Sequence, residues 1–100
     1  VLSREDFVFT IGYDGPAAVV DNHAKRKYGK LSTRELAEKG LFRAAYSSAV
    51  YSQDPQEQRF VAEAYNRLIG RSTDVSDTEI AALGRLFGVF LVDVKRSIAI

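Results

Sequence analysis

The densest ionic chemistry in this sequence is Lys25-Arg26-Lys27-Tyr28-Gly29-Lys30, four cations around one aromatic ring. Lysine and arginine neutralise phosphates, and a tyrosine ring can stack on a base, so the run suits a nucleic acid or another polyanion. Residues 22–43 hold seven cations against Glu35 and Glu38, a net +5, while the rest of the chain is net negative. The candidate polyanion-binding residues are therefore Lys25, Arg26, Lys27, Tyr28, Lys30, Arg34 and Arg43. The reading that the residues favour over this one is a solvated connector whose cations offset an acidic edge or cap a helix end.

Other chemistry is poorly served. His23 is the one histidine and there is no cysteine, so the usual zinc and iron ligand spacings are missing and no metal or cofactor is expected. No serine lies in a Gly-x-Ser-x-Gly elbow that would make a nucleophile with His23 and Asp21. The acids Glu35, Asp54, Glu57, Asp77 and Glu79 stand where helices start, and the others are scattered, which leaves no carboxylate pair for acid–base work. Gly12-Tyr13-Asp14-Gly15 follows an apolar run as a phosphate loop would. It lacks the Gly-Lys-Ser/Thr ending, and Pro16 removes a backbone donor. Residues 78–89 have the outline of the first helix and turn of a helix-turn-helix reader, but Phe90 to Val94 offer no polar face to a groove.

The elements that would position these residues can be read from caps and periodicity. Phe7 to Ile11 is β-branched and aromatic with Phe7, Phe9 and Ile11 on one face, and reads as a strand. Asp14-Gly15 signals a turn, with Ala17 to Val20 returning as a hairpin. The rival for residues 16–28 is a helix, begun by Pro16 and ended by Lys25-Arg26-Lys27 and Gly29. Ser32-Thr33-Arg34-Glu35 is a capping box opening a central helix from Thr33 to about Ser52, with Gly40, Ala44 and Ser48 as a close-approach stripe. Asp54-Pro55 opens a second helix ending at Gly70, with Phe60, Val61, Ala64, Tyr65, Leu68 and Ile69 as its apolar face. The short link between the two predicts an antiparallel helical hairpin. Ser76 and Glu79 open a third helix that stops near Gly88, and Val89 to Val94 reads as a closing strand.

One domain over residues 1–100 is expected, of class α+β and order β-β-α-α-α-β. It has a three-stranded antiparallel sheet, made from the N-terminal hairpin and the last strand, packed on the helical hairpin and a short third helix. The predicted core is Phe7, Phe9, Ile11, Leu36, Leu41, Ala44, Phe60, Ala64, Leu68, Ile80, Leu83, Phe87, Phe90 and Val92. At 46% hydrophobic and 27% charged the chain is too apolar for disorder, and no apolar run reaches the ~20 residues of a membrane span. With no methionine, a chain starting at Val1 reads as having lost its initiator or as cut from a longer protein. The missing export signal points to the cytoplasm. Caps, turns and core stripes account for every strong motif, which favours a non-enzymatic protein–protein interaction module over an enzyme. Apolar residues on both faces of Val89–Leu91 point to self-association as one form of it. The alternative is polyanion binding through residues 25–43.

Overall fold

The computed structural model describes residues 3–14, 17–89 and the backbone of 96–99. Its order is α1 (Arg4–Val8), β1 (Thr10–Asp14), β2 (Ala17–Val20), α2 (Asn22–Tyr28), α3 (Thr33–Glu38), α4 (Phe42–Ser52), α5 (Pro55–Leu68), α6 (Asp77–Phe87) and β3 (Arg96–Ala99). The protein is mainly helical, which overturns the expected β-β-α-α-α-β order and the three-stranded antiparallel sheet. What strand structure there is centres on the β1–β2 hairpin. The four residues of β3 lie parallel to β2, not antiparallel. Parallel pairing needs a long crossover, and the helices between β2 and β3 supply it. The expected closing strand falls mostly on residues 90–95, outside the described residues; Val89 is buried and not in a strand.

The predicted first strand is in part a helix. Ser3 accepts a hydrogen bond from the Asp6 amide at 3.2 Å, and Glu5 and Asp6 occupy the positive first turn. β1 starts only at Thr10, and its pairing slips between Thr10 and Gly12. That bulge gives Ile11 no partner and breaks the in–out alternation, so Ile11 is 48% exposed instead of in the core. The two rival readings of residues 16–28 each hold in part. Ala17–Val20 is the returning strand, and Asp21 then caps α2 through the Ala24 amide at 3.1 Å.

The central helix is broken in two. Gly40 has φ +79°, a conformation only glycine adopts without strain, and it closes α3. The Leu41 amide donates to the Leu36 carbonyl and the Gly40 amide to Ala37, both at 3.0 Å, which is a Schellman ending. Gly40 is therefore a stop and not part of a packing stripe. The Ser32–Glu35 capping box forms in both directions. Asp54 caps α5 with Pro55 in its first turn, and Ser76 caps α6 through the Glu79 amide.

The core gathers Phe7, Val8, Phe9, Val20, Leu36, Ala45, Tyr46, Ala49, Val61, Ile80 and Leu83. Leu41, Ala44, Phe60, Ala64 and Phe87 are only half-buried against it. Leu68, predicted inside, is 70% exposed. The buried arc of α5 runs through Val61, Ala62 and Asn66, rotated toward one flank of the apolar face that the sequence suggests, with Phe60, Ala64 and Tyr65 only half-buried. Asn66 is inside because its amide donates to the Ser72 carbonyl at 2.9 Å. Phe90 and Val92 lie outside the described residues.

Candidate functional site

The basic segment is spread over α2, the loop after it, α3 and the start of α4. Lys25 reaches across to α1, its Nζ 2.7 Å from the Asp6 carboxylate. Arg26 is exposed and, in the amide orientation that satisfies both groups, donates to the Asn22 side-chain oxygen at 2.9 and 3.3 Å. The Lys27 ammonium sits 5.3 Å from the centre of the Tyr28 ring, which occupies one face of the expected stacking platform. Lys30 is exposed beyond the end of α2. Arg34, on α3, lies 4.4 Å over the Phe60 ring. Arg43, on α4, is half-buried and donates from Nε to the Phe87 carbonyl at 2.8 Å. Arg26, Lys27 and Lys30 thus stay in solvent near one another in sequence; Arg34 is exposed as well but stands on α3 against Phe60, and Lys25 and Arg43 are half-buried and bound to other parts of the fold.

Two of the candidates do come together elsewhere. Tyr28 and Arg43 line a cleft of about 310 Å³ whose walls come from residues 8–11, from α2 and from the Gly40–Ala44 turn. Its lining is mostly apolar, with Val8, Phe9, Ile11, Leu41 and Phe42; the polar side chains are Thr10, Asp21, Tyr28 and Arg43. Beside Arg43, burial pushes the Tyr13 hydroxyl above its usual range and the guanidinium charge partly offsets this. Burial likewise raises Tyr46, whose hydroxyl donates to the Ile80 carbonyl at 2.8 Å inside the core. Its role is packing, with Phe87 6.0 Å away.

A second surface lies along α5. Phe42, Phe60, Ala64 and Leu68 line an open groove of about 610 Å³, with Glu38 and Arg67 also on it. Both charged residues are exposed, and neither has an ion-pair partner among the described residues. Past the end of the same helix Ile69 is 46% exposed, and on α6 Leu86 is 64% exposed; these two line another hollow with Tyr65. Sequence reasoning missed this surface because it placed Leu68 in the core. A signal was present in the width of the apolar face of α5, which is more than one packed side can cover.

A third cluster is structural. Thr33, Ser48, Ser52 and Glu57 are joined by hydrogen bonds of 2.7 to 3.2 Å, and Arg4 enters the cluster at Ser48. His23 is exposed on α2. Among the described residues no group of three or more His, Cys, Asp or Glu is placed to hold a metal ion, and no helix is long and apolar enough to cross a membrane. Comparison with protein-family models, with curated proteins and with solved structures gave no match.

Proposed function

We propose that this small globular domain is a non-enzymatic interaction module that pairs with a second copy of itself through the α5 groove. The observation that carries the reading is Leu68, a large apolar side chain 70% exposed beside a groove floored by Phe42, Phe60 and Ala64. Contiguous exposed apolar surface of this kind marks contact sites. The groove also carries one unpaired acid, Glu38, and one unpaired base, Arg67. A two-fold pair places residue i against j and j against i, so Glu38 of one copy can meet Arg67 of the other twice over. Such a surface is complementary to itself and has no charge bias toward a strongly acidic or basic partner.

Light scattering over a wide concentration range tests this. The mass of the wild-type chain should rise toward twice the monomer. Leu68→Asp should hold it at the monomer without loss of fold, because Leu68 is already in solvent. Glu38→Arg or Arg67→Glu alone should weaken pairing, and the two together should restore it. A wild-type mass fixed at the monomer at every concentration overturns the reading.

The alternative, polyanion binding, is supported by the exposure of Arg26, Lys27 and Lys30. Three cations predict a shallow salt dependence on single-stranded oligonucleotides, with a log–log slope of about −2; all seven cations of residues 22–43 would give about −5. A salt titration reads this slope. Changing Arg26, Lys27 and Lys30 together to alanine should abolish binding, and binding that persists with the same slope would remove this alternative.

A further inference from the structure

We infer that the cleft between residues 8–11, α2 and the Gly40–Ala44 turn is a binding site for a small monocarboxylate with an apolar body, anchored by Arg43. The inference stands on three features. The first is shape and lining: about 310 Å³, walled mainly by apolar side chains from three separate segments, at the lower end of the range of small-molecule pockets. The second is Arg43. Its Nε is fixed by the Phe87 carbonyl at 2.8 Å, and it has no carboxylate partner among the described residues. The terminal nitrogens of a guanidinium held in this way match the two oxygens of a carboxylate, a geometry that a single ammonium cannot offer.

The third feature sets selectivity. Asp21 also lines the cleft, with Oδ1 accepting from the Ala24 amide at 3.1 Å as the cap of α2. A ligand carboxylate bound directly to the Arg43 guanidinium is offset by it, whereas a second negative charge finds no further cation in the lining and meets the Asp21 carboxylate. A dicarboxylate or a phosphate dianion is therefore disfavoured, and an alcohol of the same length lacks the charge that Arg43 needs. The cleft shares Gly40 and Phe42 with the α5 groove, but Leu68, Glu38 and Arg67 do not line it.

The test is a titration of the full chain with hexanoate, hexanol and adipate, followed through backbone amide resonances. Hexanoate should give saturable shifts centred on Ala24, Tyr28, Leu41 and Ala44, and hexanol and adipate should bind at least about tenfold more weakly. Arg43→Gln keeps a donor for the Phe87 carbonyl and removes the charge, so hexanoate affinity should fall by at least about tenfold. Ala24→Leu narrows the cleft and leaves the guanidinium in place, and it should also abolish the shifts. Equal binding of hexanol and hexanoate would overturn the proposal, as would hexanoate shifts centred on the Leu68 groove, an affinity unchanged by either substitution, or no shifts at all.

Discussion

Leu36→Ala is expected to lower the free energy of unfolding by about 2–5 kcal/mol, and Leu68→Ala by less than about 0.5 kcal/mol. Both residues are helical leucines on an apolar stripe, so composition alone would rank them together. Leu36 is fully buried in the middle of the core, between the capping box at Ser32 and the Schellman ending at Gly40. Thr33 ties α3 to Ser48 of α4 and Glu57 of α5 by hydrogen bonds, so the helix has little freedom to move into the space that a lost isobutyl group leaves. The cavity cost then adds to the lost transfer energy. Leu68 gives up only surface that water already reaches. Urea denaturation reads the difference as a shift in midpoint at constant slope. It should be run on dilute protein, since pairing through the groove would bury Leu68 and raise its apparent value. For a domain whose total stability is of order 5–15 kcal/mol, the first change removes a large fraction and the second almost none. A larger loss for Leu68→Ala than for Leu36→Ala would mean that α5 packs on its other side.

This contrast also marks where the sequence was legible. The starts of α3, α5 and α6 could be read from Ser32–Glu35, Asp54–Pro55 and Ser76–Glu79, because a cap is made within four residues and depends on nothing distant. Stops were harder. Gly40 sits in a stretch rich in small and apolar residues that suits a continuing helix equally well, and only its positive φ shows that it ends one. Phe7 to Ile11 misled for a different reason. A five-residue helix has no stability of its own, so propensity favours the strand reading, and tertiary contacts to Arg4, Phe7 and Val8 decide against it. On α5 the sequence showed which residues are apolar but not which flank of that face would be covered. The candidate cleft was least legible. Tyr28 and Arg43 could be singled out by type, yet the walls that give them a shared purpose come from segments up to 36 residues apart in the chain.

Arg4→Met should cost about 2–4 kcal/mol, more than is usual for a part-buried cation. The guanidinium donates to the Gly29 carbonyl at 3.2 Å, the Leu31 carbonyl at 2.7 Å and the Ser48 hydroxyl at 2.9 Å. The hydrogen-bond inventory then fixes the direction of the whole chain. Thr33 has one hydroxyl proton, and it goes to the Glu57 carboxylate at 3.2 Å. Ser48 must therefore donate to Thr33 across their 2.7 Å contact, which leaves its lone pairs for Arg4. Donation runs one way, from a cation through two hydroxyls to an anion that also accepts from Ser52 at 2.8 Å. Charge at both ends polarises each bond in the same sense. The chain ties α1 to α4, α3 and α5, and the two carbonyls tie it to the turn after α2. Methionine keeps much of the stem and removes every donor, so the part-buried carbonyls lose their partner without a large change in packing. Lysine should recover only part of the loss, because one ammonium cannot reach three acceptors arranged for a fork. Ser48→Ala breaks the same chain one link further on. The double variant should then be less destabilised than the sum of the two singles, by at least about 0.5 kcal/mol. Denaturation of the four proteins of that cycle measures the coupling. Strict additivity, or a cost for Arg4→Met below about 1 kcal/mol, would show that Arg4 acts as an ordinary surface cation and that other contacts hold α1 in place.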